Sequence, residues 1–443
     1  MSLKSSLMFA KSLIFPKTEK KSSARKSLSG ALLCIALSII PMIVVISVAN
    51  GMISGMTDRI IGLATSHLQA YVASGISATQ SAENFTEYAQ GFVDGKEVLS
   101  AYPEVDISAL AAGKSFRTGA EIRALPSDIF QKNHYFKDLF EVQDGSLDDF
   151  YVKNEKTAIV GQKIAKTLGL KAGDTFRLIT TRKTGDSISP KLTSFKVSAI
   201  VTSGYQELDQ LWIFVPLETA FSTLSLSNAT FTIMMETPDA YSADLPRIQQ
   251  KVWKMAGRYA NIYRWDQLYS GEFQNFSSTK MMLIFIMALI VLVASINISS
   301  AIIMLVMERK NEIAILKSIG ATPAGITLSF LLTGLACGAG GLLIGLPIGI
   351  LIAKNASALI NLIEKLVNQI ARLSYIFKGV NLDQVSEIHL MDPAYYIQKI
   401  VFDLPFSQIF IIVGAVLLLS VLVSVIPAIK AGKEKPLEIM RKN

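Results

Sequence analysis

The composition of this chain of 443 residues excludes an ordinary soluble protein, because 51% of its residues are hydrophobic and its mean hydropathy is +0.41. Its 18% of charged residues exclude a protein that lies wholly within a membrane. We therefore expect membrane-spanning segments together with a separate polar domain. The net charge of +8 does not indicate nucleic-acid binding, because the basic residues are concentrated at the two termini.

The basic termini indicate on which side of the membrane they lie. Residues 1–27 contain seven lysines and arginines and one acidic residue, and five basic residues follow Pro427. Lysine and arginine are enriched in the cytoplasmic segments of membrane proteins, so both termini are expected in the cytoplasm. Leu3, Leu7 and Ala10 share one helical face, which predicts that residues 1–27 form an amphipathic segment on the inner membrane surface. Residues 428–443 are the predicted cytoplasmic tail.

Four apolar runs are long enough to cross a membrane, which takes about 20 residues of helix. The predicted spans are 28–56, 281–307, 324–353 and 406–427. A cleaved signal peptide is the alternative for the first run, but the apolar region of such a peptide has only about 7 to 15 residues. The pattern therefore predicts an α-helical membrane protein with four transmembrane helices.

Glycines recur along the third predicted span at intervals of about one helical turn: Gly334, Gly338, Gly341, Gly345 and Gly349. Small residues at this spacing allow two membrane helices to approach closely, which favours a helix-packing seam. The alternative is that glycine is simply more frequent in membrane helices than in soluble ones. The sequence alone leaves both interpretations open.

A large polar segment, residues 57–279, separates the first two spans and contains no apolar run that could cross a membrane. Alternating apolar residues predict strands, and helical patterns lie between them, which together predict an α+β domain. Residues 73–90 are small and polar and are expected to be irregular. The second span is expected to extend outward as a stalk from about residue 268. The loop at 354–405 is expected to contain an amphipathic helix.

Two of the predicted strands, at 176–181 and 195–201, flank a segment that is rich in turn-forming residues. This pattern predicts a hairpin with a long protruding loop that contains Arg182, Gly185, Ile188 and Pro190. The alternative is an ordinary solvated loop, because such turn residues are common in proteins.

A short charged stretch, residues 308–323, joins the second and third spans. Charged side chains cost about 2.5 to 3.5 kcal/mol each at the centre of a bilayer, so the stretch must lie outside the hydrocarbon. Ile313, Leu316 and Ile319 follow helical spacing, and Gly320 provides a stop. The stretch therefore predicts a short amphipathic helix at the membrane surface. The alternative is a solvated loop that only separates the two spans.

Motifs for bond-making chemistry are missing from the sequence. Gly113-Lys114-Ser115 ends like a phosphate-binding loop, but Ser108 stands where such a loop needs its first glycine. The three histidines are scattered without metal-ligand spacing. We therefore expect a chain that is not an enzyme and that binds no metal or cofactor itself.

The segment MERKNEIAILKSIGATP at residues 307–323 resembles the coupling segment of FtsX-like permeases, the type VII ABC transporter family that includes MacB-type exporters. IPAIKA at 426–431 and KPLE at 435–438 are similar to the ending of that family. Within the family, the lipoprotein-releasing permeases are the most similar. ISVANG at 46–51 and DLP at 403–405 resemble segments of that subfamily.

The resemblance implies a fold in which a large α+β extracytoplasmic domain is inserted between transmembrane helices 1 and 2. It also implies that a separate cytoplasmic ATPase dimer binds ATP and magnesium. The chain would contact this dimer through the following residues: Glu308, Arg309, Glu312, Ile313, Leu316 and Gly320. The other implied partners are a second permease subunit, identical or related, together with lipoprotein substrates, membrane lipid and a periplasmic lipoprotein carrier in the bacterial inner membrane.

Further roles implied by the resemblance fall on single residues. Val45 and Ala49 match positions that face a lipid-accepting cavity. Arg177 matches an arginine in a basic pad at the base of a carrier-binding hook, and the segment from Arg182 to Pro190 stands in the place of that hook. Two other functions within the same family are a MacB-like efflux or mechanotransmission permease and an FtsX-like regulator of cell-wall hydrolases.

Overall fold

The computed structural model describes residues 8–10, 12–13, 23–114, 116–184, 187–204, 209–377 and 402–433. Most of the predicted N-terminal amphipathic segment lies outside these residues, as do residues 434–443 of the predicted tail and residues 378–401 of the predicted outer loop. The chain divides into two compact units. We call residues 1–52, 275–388 and 400–443 the membrane unit, and residues 53–274, with 389–399, the sheet domain.

The described helices have the following bounds in chain order: α1 Ser23–Arg59, α2 Ala82–Gln90, α3 Ile129–Lys132, α4 His134–Asp138, α5 Gln162–Leu168, α6 Leu217–Thr223, α7 Leu245–Ala256, α8 Trp265–Leu268, α9 Ser270–Glu308, α10 Lys310–Ser318, α11 Pro323–Lys354, α12 Ala356–Phe377 and α13 Phe406–Lys433. A π-helix, Ile60–Thr65, continues α1. Within the described residues, four helices are long and apolar enough to cross a membrane, and these are α1, α9, α11 and α13. Each of them contains one of the predicted spans.

Two helix ends differ from the sequence expectation. The helix of the second span begins at Ser270, because Tyr269 leaves helical geometry with φ −108° and ψ 32° and separates it from α8. The last helix does not stop at Pro427, where the predicted span ends, but continues to Lys433. A proline inside a helix costs about 3 kcal/mol. Burial of Ala428 and Ala431 in the next turn offsets part of that cost.

The glycines of α11 pack against helices of the same chain. A Cβ added to Gly334 would collide with Ser424 of α13, and a Cβ added to Gly338 would collide with Ser420 of the same helix. The other three glycines face α1, and a Cβ added to any of them would come within about 3 Å of an atom of that helix: Gly341, Gly345 and Gly349. The glycine spacing therefore serves close packing within the chain, with α11 in contact with α1 and α13.

The sheet domain contains, within its described residues, one sheet of ten strands: β1 Leu68–Val72, β2 Ser100–Ala112, β3 Arg117–Leu125, β4 Glu141–Gly145, β5 Thr157–Gly161, β6 Thr175–Thr184, β7 Ser187–Thr202, β8 Trp212–Pro216, β9 Thr230–Glu236 and β10 Ala260–Arg264. Their order is β10-β1-β9-β2-β3-β8-β5-β7-β4, and β6 pairs with both β2 and β7. The pairs β3–β8 and β5–β7 are parallel, and the others are antiparallel. Strands and helices in this mixed order form an α+β domain.

The prediction of irregular structure at 73–90 is wrong for its second half, where α2 lies. Ser81 caps this helix, since its side-chain oxygen accepts a hydrogen bond from the Asn84 N–H at 3.1 Å. Phe85 and Ala89 are fully buried against the sheet core. Two apolar side chains one helical turn apart are sufficient to dock so short a helix, and they leave little periodicity in the sequence.

The contact of α11 with α1 leads to a test on Gly345. Replacing Gly345 by alanine should destabilise the membrane unit by about 1–3 kcal/mol, because the new Cβ would lie 2.8 Å from the main-chain oxygen of Ala36, which cannot rotate away. Thermal unfolding of the detergent-solubilised chain can be followed with a thiol-reactive dye. Cys337 is buried in α11 and becomes reactive when the helices separate.

Gly414→Ala provides the matched control for this test, because nothing lies within 4 Å of a Cβ at Gly414 in α13. Its unfolding midpoint should stay at that of the unmodified chain. Equal midpoints for Gly345→Ala and Gly414→Ala would contradict the assigned packing.

Candidate functional site: coupling helix, hairpin arm and buried joint

The charged stretch between the second and third spans forms the helix α10 and not an irregular loop. Arg309 leaves helical geometry between α9 and α10, with φ −97° and ψ 13°. Gly320 ends the segment with φ +99°, in the left-handed region that glycine adopts without strain. The Thr322 side chain then caps α11 by accepting a hydrogen bond from the Gly325 N–H at 3.3 Å. We call α10 the coupling helix.

The two faces of the coupling helix differ in exposure. Ile313 and Ala314 are buried within the membrane unit. Ile315 and Ile319 are 55% and 80% exposed, and Leu316 is half-buried. The placement of Ile313 does not fit the predicted contact with a partner, because its side chain already packs inside its own chain. Helical spacing identifies an apolar stripe but does not tell which part of it faces inward.

Charged side chains attach the coupling helix to the rest of the membrane unit and partly neutralise its acidic groups. The Arg309 guanidinium pairs with the carboxylate of Glu312, three residues along the chain. Lys317 donates a hydrogen bond from Nζ to the main-chain oxygen of Gly432 at 2.6 Å, which fastens the helix to the end of α13. The charge of Glu312 is therefore offset within the chain. The coupling helix offers an exposed apolar edge on a fixed support.

The predicted long loop between two strands is instead paired strand. β6 and β7 pair without interruption from Thr175 opposite Lys196 to Thr184 opposite Ser187. The predicted hairpin is therefore present, but its expected long loop is paired strand, and only the tip, which includes Gly185, lies outside the described residues. Pro190 is accommodated opposite Thr181, in a stretch where β7 has a single neighbouring strand and needs no second set of main-chain hydrogen bonds. We call the paired residues 177–184 and 187–194 the hairpin arm.

One face of the hairpin arm is apolar and exposed. Leu110 of β2, Ile179 of β6 and Leu192 of β7 lie opposite one another in a row across the three strands. Leu110 and Leu192 are 48% and 57% exposed, and Ile188 near the tip is 73% exposed. Side chains alternate between the faces of a strand, so this exposed face also carries Arg177, Lys183 and Pro190, whereas Arg182 lies on the other face. Phe176 and Leu178 on that other face are buried.

The residues matched to a lipid cavity lie near the end of the first predicted span. Val45 and Ala49 are half-buried in the membrane unit. Asn50 beside them is buried and donates hydrogen bonds from its amide to the side-chain oxygen of Gln408 at 2.7 Å and to the main-chain oxygen of Asp403 at 3.3 Å. This pair of bonds holds α1 to the segment that opens α13.

A buried ionic cluster in the sheet domain was not foreseen from the sequence. Arg123 of β3 and Glu104 of β2 are 3% and 0% exposed and form an ion pair. The same guanidinium donates a hydrogen bond to the main-chain oxygen of Leu63 in the π-helix and lies over the Trp212 ring, 4.0 Å from its centre. We call this cluster the buried joint, because it binds the continuation of α1 to the central strands.

Further bonds secure the chain directly after the π-helix. Ser66 donates from its hydroxyl to the Met235 main-chain oxygen at 2.8 Å. The Nδ1 atom of His67 accepts from the Thr237 N–H at 3.0 Å, and burial lowers the pKa of this histidine. His67 thus has a structural role. Among the described residues, no group of three histidine, cysteine or acidic side chains could hold a metal ion.

Comparison with known protein families gives two matches that together span most of the chain. Residues 29–252 match the family described as MacB-like periplasmic core domain, and residues 284–436 match FtsX-like permease C-terminal. The chain belongs to the FtsX/MacB-like ABC transporter permeases. The family resemblance stated from residues 307–323 is confirmed.

Several curated relatives of this permease extend over nearly its whole length. It is 26% identical to the lipoprotein-releasing system transmembrane protein LolC of Neisseria meningitidis, over 92% of each chain. It is 24% identical to the lipoprotein-releasing system transmembrane protein LolE of Haemophilus influenzae, again over 92% of each. The LolC protein of the same organism is 24% identical, over 93% of this chain and 92% of that one.

The two family matches divide the features described above between them. The coupling helix lies in the FtsX-like part of the permease, and the hairpin arm and the buried joint lie in the MacB-like part. The coupling helix and the hairpin arm each present exposed apolar side chains.

Proposed function

We propose that this chain is a permease subunit of an ABC transporter that extracts lipoproteins from the bacterial inner membrane and hands them to a periplasmic carrier. ATP would be hydrolysed by a separate cytoplasmic ATPase dimer. The observation that carries the proposal is coverage: relatives named for lipoprotein release match 92% of the chain, and not only the part that all FtsX-like permeases share. In this arrangement both termini are cytoplasmic, and the sheet domain lies in the periplasm.

The coupling helix supplies the contact for the ATPase. Ile315 and Ile319 would enter an apolar groove on that partner, and the exposed half of Glu312 would lie at its polar rim. A helix laid into a groove transmits displacement only if its own base is fixed. The hydrogen bond from Lys317 to Gly432 supports this role, since it ties the helix to α13.

The hairpin arm supplies the contact for the carrier. A soluble protein that receives acyl chains must open an apolar cavity, and apolar surface is exposed around its entrance. The row of Leu110, Ile179 and Leu192, with Ile188 towards the tip, matches such a surface. Arg177 and Lys183 on the same face would favour an acidic rim on the carrier.

The lipid contact and the composition of the complex are further parts of the proposal. Val45 and Ala49, at the end of the first predicted span, would border the acyl chains of the substrate. A second permease subunit would complete the cavity. Relatives named LolC and relatives named LolE are similar to this chain to nearly the same extent, which leaves a pair of identical subunits and a pair of related ones both open.

The coupling helix can be tested with Ile315→Asp combined with Ile319→Asp. Burying an isoleucine contributes about 1.5–3 kcal/mol, so losing two should weaken ATPase binding by about a hundredfold or more. Both side chains are exposed, so insertion into the membrane should not change. ATP turnover of the copurified complex in detergent is the measurement, and unchanged turnover would exclude this contact.

The hairpin arm can be tested with Ile188→Asp combined with Leu192→Asp. Charges on the apolar row should abolish binding of a periplasmic lipoprotein carrier to the detergent-solubilised complex, measured by surface plasmon resonance. Ser189→Asp is the matched control, because Ser189 is exposed on the opposite face of the same strand. It should bind normally. Equal binding by the double variant and the control would contradict the assigned face and would favour MacB-like efflux.

A further inference from the structure

The buried joint contains two carboxyl groups and one guanidinium group. Glu104 and Asp106 are two residues apart in β2 and therefore lie on the same face of the sheet, beside Arg123 of β3. The side chains are 0%, 22% and 3% exposed, respectively. If both carboxyl groups were ionised, the cluster would hold an uncompensated negative charge that is largely shielded from water.

The guanidinium group of Arg123 forms a close ion pair with only one of the two carboxylates. Its Nε atom pairs closely with one oxygen of Glu104 and lies 3.8 Å from the nearest oxygen of Asp106. Its Nη1 atom donates to the Leu63 main-chain oxygen, and its flat face covers Trp212. A buried carboxyl group that lacks a compensating charge takes up a proton.

One oxygen atom shows where such a proton belongs. The second carboxyl oxygen of Glu104, Oε2, is buried and accepts no hydrogen bond from any group of the described residues. Buried polar atoms almost always have a hydrogen-bond partner, so this acceptor needs a donor. We propose that Glu104 and Asp106 share one proton, held on the Asp106 carboxyl group and donated to Oε2 of Glu104, which leaves Arg123 bound to the Leu63 carbonyl.

The other titratable groups around the pair do not supply a second positive charge. They are Tyr71 of β1, Tyr102 of β2, Glu121 of β3 and Tyr269 before α9. Glu121 accepts a hydrogen bond from the Trp212 ring N–H at 3.2 Å and adds negative charge. Burial first, and then the charge of Glu104, raise the pKa of Asp106 well above its ordinary value, in agreement with the shared proton.

The shared proton makes the buried joint sensitive to pH. The folded chain holds the proton to a higher pH than the unfolded chain does. The contribution of this carboxyl group to the free energy of unfolding is therefore fully present below the ordinary carboxyl pKa. It is lost as pH rises through the raised pKa of Asp106. Once the proton leaves, two carboxylates compete for Arg123, and its bond to Leu63 weakens. The attachment of the π-helix to the sheet would then weaken above the raised pKa of Asp106, whatever substrate the permease moves.

The test uses the full chain in detergent and two measurements. Infrared spectra of the unmodified chain should contain the carbonyl band of a protonated carboxylic acid at a pH above the ordinary pKa of an aspartate. Asp106→Asn should lose this band, and Glu121→Gln, which removes a neighbouring charge but not the shared proton, should keep it. Absence of the band from the unmodified chain would overturn the proposal without any need for a folded variant.

Tryptophan fluorescence supplies the second measurement, because all three tryptophans, Trp212, Trp253 and Trp265, lie in the sheet domain. The thermal midpoint of the unmodified chain should fall as pH rises through the raised pKa of Asp106. In Asp106→Asn the amide N–H donates to Glu104 in place of the proton, so this fall should be much smaller. Equal pH profiles for Asp106→Asn and the unmodified chain would overturn the proposal.

Discussion

The bond between Arg123 and the Leu63 carbonyl is the contact on which the organisation of the sheet domain depends. A guanidinium group placed between a buried carboxylate, a tryptophan ring and a main-chain oxygen has a fixed position, because each neighbour occupies a different side of it. Removing one member of a buried ion pair typically costs about 3–5 kcal/mol. The π-helix that follows α1 is thereby attached to the middle of the sheet and not to a flexible edge.

The membrane unit relies on a different constraint, the close approach of helices at glycine. α11 contacts α13 through Gly334 and α1 through Gly345, and a side chain at either position would separate the helices. The coupling helix is tied to the same group of helices by Lys317. The two units are therefore held together internally by different means, the sheet domain by a buried ion pair and the membrane unit by close helix contacts.

The sequence predicts those features that depend on long runs of one residue type. Uncharged runs mark the four long apolar helices, and the charges of residues 308–312 place the coupling helix between two of them. It does not predict which side of a short helix faces inward, so the expected contact of Ile313 with a partner does not fit the burial of this side chain. It also does not predict the full length of the hairpin arm, because Gly185 and Pro190 are typical of loops and only the register shows that pairing continues past Pro190. The buried joint depends on residues from the π-helix, β2, β3 and β8, whose proximity no local pattern reveals.

The most direct test of the account is ATP-driven transfer by the complete complex. The chain, purified with its ATPase and any second permease, would be reconstituted into liposomes that carry an acylated lipoprotein, with a soluble periplasmic carrier outside. The account predicts that ATP causes the lipoprotein to leave the liposomes in a complex with the carrier, and that omitting either ATP or the carrier keeps it in the membrane. ATP hydrolysis at a normal rate with no lipoprotein leaving the membrane would contradict it.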